Sequence, residues 1–554
     1  MSKRTVIILL IVVLLLCALV SVCSLGGISL YRKLTGTQTT PTPESTAAPG
    51  SNATIMPETR ASGGHLTLYG SLPPTLDPAL VQDSTSAEYV VHLFSGLVSL
   101  NADAKIVPDL ATHWDVTSEG TVYVFHLDPD AEFSNGRPIT AEDVAFSIER
   151  ALSPALSSPA ASSYLDDIKG ALAYASGEAD HIEGLEVVDD QTLRITIDAP
   201  KAYFLAKLTY PTSYVVDRNQ VAKGASWMLS PVCSGPFVLR EMDRDHLVLA
   251  RNAHYVGRPV LLDTVTYVFA GGDPMTMYET GELDIVSVTP YGVERVLDPH
   301  NPLHSQLHTA TEASVRYLGF NTNVPPFDDP AVRQAFAMAI DKERLADLVF
   351  RGTAVAAHGI LPPALPDHDP SFEGIPYDPE QARAKLATSR YAGHMPELVL
   401  STAGTSAHLG SDARAVLAML EENLGLEIVV EQLEWSDFLK DLNRGRFQMA
   451  LSGWIADYPD SQNFLDLLFH SASLQNRSGY ANAEVDALLE SARVELDPER
   501  RTELYRQAES IIVHDAPWIP LTHAISHTLV KPHIRGYSSS STMYPWLCDI
   551  YLAP

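Results

Sequence analysis

Catalysis needs particular side chains at particular spacings, and this chain offers several to weigh. Carboxylate pairs stand at Asp166-Asp167 and Asp189-Asp190, residue types that serve general acid and base chemistry. Both pairs lie in polar, turn-like stretches, where simple solvation is the expectation. The 19 histidines are scattered rather than paired, so a lone imidazole such as His92 or His126 is expected at the surface or in a structural hydrogen bond. The sequence contains no G-x-S-x-G elbow, H-E-x-x-H helix, Walker loop or G-x-G-x-x-G turn. Cys17 and Cys23 fall in an N-terminal apolar run, and the remaining Cys233 and Cys548 have no zinc or iron–sulfur spacing. An enzyme, a metal centre and a bound cofactor are therefore not expected. The best candidate site is acidic and aromatic instead: Gly453-Trp454-Ile455-Ala456-Asp457-Tyr458.

The elements around that string explain why it stands out. Glu397 to Thr402 reads as a strand, and Asp412 to Leu424 as a helix with Val416, Leu417, Leu420 and Leu424 on one face and Gly425 as its stop. Leu426 to Leu433 is again strand-like, Ser436 caps a short helix, and Phe447 to Ser452 forms a third strand. Strand, helix, strand, helix, strand implies a parallel sheet with right-handed crossovers. Ligands on such sheets bind beyond the carboxyl ends of the strands, just where residues 453–458 follow.

Elsewhere the periodicity supplies scaffold. HLTLYGS alternates as a strand, and the prolines of LPPTLDPAL precede a helix from about Ser86 to Leu97. VYVFHL and the turn at Asn135-Gly136 predict a hairpin. Thr140 and Asp143 form a capping box for a helix that buries Val144, Ile148, Ala151 and Leu152. Asn482 and Asp497-Pro498 open two late helices with apolar stripes, Val485, Leu488, Leu489 and Ala492, then Leu504, Ala508, Ile511 and Ile512.

At 554 residues and 45% hydrophobic content the chain has more than one core's worth of apolar surface, so two or three packed units are expected. Its net charge of -30 repels nucleic acid and anionic headgroups. Lys3 and Arg4 precede an uncharged run from Thr5 to Leu30, long enough for a membrane span or signal. Two readings stay open there: a retained anchor, or a signal of lipoprotein outline ending at Cys23. The segment TQTTPTPESTAAPGSNAT that follows is a linker. Its reach is about 30 Å, from roughly 5–6 Å times the square root of its length. Cys233 and Cys548 could pair in an oxidising compartment or remain as small core residues.

Several strings together resemble one family. They are Leu76-Asp77-Pro78, Val107-Pro108-Asp109-Leu110-Ala111 before Trp114, and Phe133 to Gly136 leading into Pro138 to Val144. Ser234-Gly235-Pro236-Phe237, Tyr317 to Asn321, Phe327 to Ala335, and Gly453 to Tyr458 follow in order. The chain resembles solute-binding protein family 5, the oligopeptide- and dipeptide-binding components of bacterial ABC importers, over residues 64 to 540. The resemblance implies an α/β, cluster C periplasmic-binding fold of two lobes. The first lobe is expected at 64–97, 185–262 and 525–554, with an inserted subdomain at 98–184. The second lobe is expected at 263–524, after an anchor or signal at 1–34 and a linker at 35–63.

The resemblance also implies a function: an extracytoplasmic, membrane-tethered, monomeric receptor that encloses a peptide and passes it to permease subunits served by a separate ATPase chain. Asp457 would meet the peptide's α-ammonium beside Gly453, Trp454 and Tyr458, and Gln82, Asp83 and Ser84 would offer backbone on the other side. Ser461 stands where many members carry proline. Members of the family also bind nickel complexes, haem, sugars or opines, so the ligand class stays open between these and peptides.

Overall fold

The computed structural model describes residues 62–406, 408–539 and 546–553. The N-terminal run, and all of the linker but its last two residues, lie outside the described residues. Among the described residues no helix is long and apolar enough to cross a membrane.

Two sheets share one strand. In the first, His65–Tyr69 pairs in parallel with Thr264–Val268 and Ile285–Ser287. Thr264–Val268 continues antiparallel to His246–Arg251 and then Phe237–Met242. In the second, the order is Ile428–Leu433, Leu398–Ala403, Met449–Ile455, Ser314–Phe320. The 13-residue strand Trp518–Val530 joins them: its first half pairs with Ser314–Phe320, its second with Ile285–Ser287 and Leu307–Thr311. At about 3.3 Å per residue it is roughly 40 Å long, enough to serve both sheets. Its burial is nearly continuous, as a strand covered on both faces requires.

The strand pairings divide the chain differently from the expected segment boundaries. Thr264 to Thr311 pairs with the first sheet, although 263 was expected to open the second lobe. The inserted subdomain is a four-stranded antiparallel sheet, Ala111–Thr117, Val122–Leu127, Thr192–Thr196 and Leu185–Asp189. It therefore runs past 184 to about Ile197, which bridges back to Ile168. Helix Ala141–Leu152 packs against it with Val144, Ile148, Ala151 and Leu152 buried. The capping box forms, Thr140 N–H donating to Asp143 Oδ2 at 3.1 Å.

The parallel unit of the second lobe is as expected: Leu398–Ala403 runs parallel to both Ile428–Leu433 and Met449–Ile455. Helix Ser411–Leu424 ends at Gly425, whose φ of 68° suits a residue without a side chain. Three local readings change. The cap of helix Trp435–Asn443 is Glu434, which accepts from the Ser436 N–H at 2.8 Å. The first helix is Ser84–Leu93, because Asp83 accepts from the Ser86 N–H at 2.9 Å and starts the helix earlier. VYVFHL pairs with Ala111–Thr117 and Thr192–Thr196, while the Asn135-Gly136 turn closes only an isolated bridge between Glu132 and Pro138.

Asp166-Asp167 also departs from expectation. Asp167 is 2% exposed, because Lys201 and Lys207 reach it from 34 and 40 residues further along. Lys207 Nζ lies 2.8 Å from Asp167 and 2.5 Å from Asp166. Burial alone would raise the Asp167 carboxyl, but the two ammoniums outweigh it and hold its pKa below the ordinary value. Cys233 and Cys548 are free thiols, both buried; burial pushes each up to about 12.

Candidate functional site

A cavity of about 630 Å³ opens between the lobes, within the roughly 300–1,000 Å³ of small-ligand sites. One wall comes from residues 82–92 and 209–214, the facing wall from the ends of Ser314–Phe320 and Met449–Ile455, and Tyr164 of the inserted subdomain closes one side. Most of the lining is apolar and aromatic, including Tyr210, Tyr214, Trp435 and Phe438.

Asp457 sits where the strand order predicts. Met449–Ile455 extends three residues beyond Ser452, because it pairs antiparallel with Ser314–Phe320 as far as the Ile455–Ser314 register. Gly453 and Trp454 are thus in the strand, and the chain leaves it at Ala456-Asp457. Buried Asn463 fixes this exit through three hydrogen bonds. Its Oδ1 accepts from Trp454 Nε1 and from the Asp457 N–H, each at 3.1 Å, and its Nδ2 donates to Asp457 Oδ2 at 3.1 Å. The Tyr164 hydroxyl, from the inserted subdomain, donates to the same carboxylate oxygen. Tyr164 is held by stacking on Tyr210, ring centres 3.8 Å apart.

Asp457 has no ion-pair partner among the described residues; both its side-chain donors are neutral. Burial pushes its carboxyl up to about 6, against the lowering effects of Tyr164, Asn463 and the more distant charge of Arg477. Such a group is poised to take a cation, and enclosure strengthens that interaction over one in water.

Six of the seven expected contacts line the cavity: Asp457, Trp454, Gly453, Gln82, Asp83 and Ser84. Tyr458 does not. It is fully buried, donates to Gln462 Oε1 at 2.5 Å and meets Tyr164 edge-on from below. Gln82 also links the lobes, its Oε1 accepting from Asn443 Nδ2 at 2.6 Å.

Among the described residues, five of the eight buried side-chain polar atoms without a hydrogen-bond partner belong to wall residues: Asp83 Oδ2, His92 Nε2, Trp435 Nε1, Arg477 Nε and Trp546 Nε1. Buried polar atoms are nearly always partnered, so their concentration here marks a surface built for a ligand. His92 corrects the expectation of a surface or hydrogen-bonded imidazole: it is 1% exposed, and burial with the charge of Arg258 pulls it down to about 3. Tyr164, Asn463 and Arg477 were not singled out from the sequence. Only Asn463 carried a signal, six residues after Asp457 on the same loop.

Two lobes around an enclosed, partly unsatisfied cavity define a solute receptor, and comparison with known proteins is specific. The family model of bacterial extracellular solute-binding proteins, family 5, matches residues 105–476, and the chain belongs to that family. It is 31% identical over 485 residues to a probable deoxycholate-binding periplasmic protein, YgiS, of Escherichia coli, covering 84% of this chain and 89% of that one. It is 29% identical over 484 residues to the dipeptide-binding protein DppE of Bacillus subtilis, covering 84% and 87%. The solved murein tripeptide binding protein MppA of Escherichia coli superposes with a TM-score of 0.80 at 26% identity, over 89% of this chain and 99% of that one.

Proposed function

We propose that this chain is the extracytoplasmic substrate-binding component of an ABC importer, and that it captures short peptides between its lobes without turning them over. The observation that carries this is Asp457, a desolvated carboxylate on the cavity wall with only neutral partners, Tyr164 and Asn463. A peptide's α-ammonium supplies the missing positive charge, and backbone pairing along the facing walls tolerates varied side chains. Relatives named for dipeptide and tripeptide binding support the same ligand class. The N-terminal uncharged run would tether a monomeric receptor at the outer face of the membrane, and the linker would let it reach permease subunits driven by a separate ATPase chain.

Calorimetry of the full chain in detergent against di- and tripeptides, beside a peptidase assay, tests this reading. Peptide binding without cleavage is expected. Binding of a bile acid, haem or an oligosaccharide with no peptide affinity would replace the ligand class, and peptide cleavage would make the protein an enzyme.

A further inference from the structure

Two walls enclose the cavity, so a ligand enters only when they part, and their closing is an equilibrium with its own energetics. Hydrogen bonds cross from wall to wall at the cavity's edge. Gln82 accepts from Asn443 at 2.6 Å, Tyr164 donates to Asp457, and Gln475 Nε2 donates to the Pro159 carbonyl at 3.1 Å. Each of these involves a lining residue, which a bound ligand can disturb. Another crossing contact stands clear of the lining: the guanidinium carbon of Arg501 lies 5.6 Å from the centre of the Tyr203 ring. Tyr203 belongs to the first wall, shortly before residues 209–214. Arg501, on helix Pro498–Asp515, belongs to the second, because its terminal nitrogens donate to Asp460 at 2.9 and 2.7 Å, on the loop that leaves strand Met449–Ile455.

The surroundings of Tyr203 are unusual for an aromatic. It is buried but joins none of the apolar clusters, whereas Phe204, next in the chain, packs in the core of the inserted subdomain. The ring lies instead among charges: the Lys207 ammonium is 5.6 Å from its centre, and Asp167 and Asp466 are electrostatic neighbours. Arg501 is oriented for the ring. Its N–H donors go to Asp460, to the Tyr505 hydroxyl at 2.8 Å and to the Ala492 carbonyl at 3.3 Å. That leaves its flat face for aromatic rings, Tyr505 at 4.9 Å and Tyr203 at 5.6 Å. Cation–π attraction reaches to about 6 Å and strengthens when the cation is desolvated, as Arg501 is at 13% side-chain exposure. Lys207 ends the short helix that begins at Phe204, on the same wall as Tyr203, so that pair stays together however the walls move. Only Arg501 leaves.

We infer that Tyr203 and Arg501 form a closure latch, a contact made only when the walls meet, which sets the affinity for every ligand while touching none. The inference rests on the enclosure of the cavity and not on the chemistry of what fills it. A contact present in one of two states shifts their ratio by its own Boltzmann factor, and the affinity of any ligand held by the closed state follows that ratio.

The test is calorimetry of the full chain in detergent with two dipeptides, Ala-Phe and Ala-Lys, beside hydrogen exchange of the ligand-free protein read by mass spectrometry. Tyr203→Leu keeps an apolar side chain and removes the π face. Both dipeptides should weaken by the same factor, about fivefold to thirtyfold. In the free protein, segments 203–210 and 456–464, on either side of the contact, should exchange at least about threefold faster. Tyr203→Phe, which restores the π face, should restore wild-type values in both readings. Unequal losses for the two dipeptides would make Tyr203 a ligand contact and overturn the latch. So would unchanged affinity or unchanged exchange in folded Tyr203→Leu protein, or an equal loss in Tyr203→Phe. Where Tyr203→Leu does not fold, Arg501→Lys decides: its ammonium still meets Asp460 but no longer lies flat over the ring, and wild-type affinity and exchange there would overturn the latch. Failure of the peptide reading looks different, since neither dipeptide then binds the wild type and hydrogen exchange alone decides.

Discussion

Two groups of desolvated charge lie in this molecule, and their contrast separates stability from binding. Where the inserted subdomain meets the segment that follows it, Lys207 at 1% and Asp167 at 2% exposure meet each other at 2.8 Å. Asp166 and Lys201 complete the network, and Asp198 joins it at 2.9 Å from Lys201. Every charge there is answered within the chain. On the cavity wall, among the described residues, the Asp457 side chain meets only a tyrosine and an asparagine, and the Arg477 side chain only a glutamine amide oxygen. Desolvation is similar in kind at the two places, but the first network is closed by the fold and the second stays open for a ligand.

The sharpest way to break the contrast is to open the closed network. Lys207→Met would leave Asp167 with Lys201 alone and strip Asp166 of its ammonium. Removing one partner of a buried pair costs about 3–5 kcal/mol, which denaturant unfolding should register. The ligand affinity of the folded fraction should stay as it was. A loss below about 1 kcal/mol would put the cluster on the footing of a surface pair and dissolve the distinction.

Asp457→Asn should behave in the opposite way, with ligand affinity falling and stability holding. It keeps shape but leaves a bound ammonium without its counter-charge, at a cost of about 2–5 kcal/mol. That is a loss of at least about tenfold, since roughly 1.4 kcal/mol is a factor of ten. N-acetylated peptides should bind the wild type poorly and lose little more in the variant. Unchanged affinity in a protein folded by circular dichroism would make Asp457 a structural residue.

Acid should weaken binding without any substitution. With the carboxyl raised from 3.8 to about 6, the ionised form that an ammonium requires dominates only above that value. A peptide's amino group stays protonated below about 7.7–8.0. Calorimetric affinity should therefore be near its plateau at pH 7 and fall about tenfold per unit once below 6. The empty protein shows the converse sign. Its Asp457 holds a proton more tightly than the unfolded chain does, so this group's contribution to stability is lost as pH rises from 3.8 to about 6. A flat affinity profile between pH 5 and 7 would contradict both the raised carboxyl and its role.

How much of this was legible in the sequence follows from the range of the interactions. Gly425 as a helix stop, the Thr140 and Asp143 capping box and the parallel unit around Leu398–Ala403 depend on neighbours a few residues away, and all can be read locally. The location of Asp457 was also readable, because the ends of parallel strands gather ligands whatever the side chains. The closed state of Asp166-Asp167 was not, since its lysines come from 34 and 40 residues away. The place of Thr264–Val268 in the first sheet was hidden for the same reason: it looks like any short strand until it pairs with His65–Tyr69, 199 residues earlier. Arg477 lies in the polar string QNRSGY, where nothing but its burial against the cavity distinguishes it from a solvated residue.

The finest test of the contrast concerns a single hydroxyl. Tyr164 donates to the Asp457 carboxylate from the inserted subdomain, and a hydrogen bond to an ionised carboxylate favours the charged form. Tyr164→Phe keeps the ring and its stack on Tyr210, 3.8 Å between centres, and removes only that donor. The Asp457 carboxyl should then rise above its present value of about 6, and the midpoint of the affinity-versus-pH curve should move up with it. A hydrogen bond to a charged group is worth about 1.5–3 kcal/mol, but water or the ligand's ammonium can take over much of this one. The shift should be at most about one unit, each unit being about 1.4 kcal/mol. At pH 8, where the carboxylate is ionised in either protein, affinities should agree within about threefold. A midpoint that moved down would mean that the hydroxyl holds the neutral carboxyl, not the carboxylate. Asp457 would then belong with the charges closed by the fold.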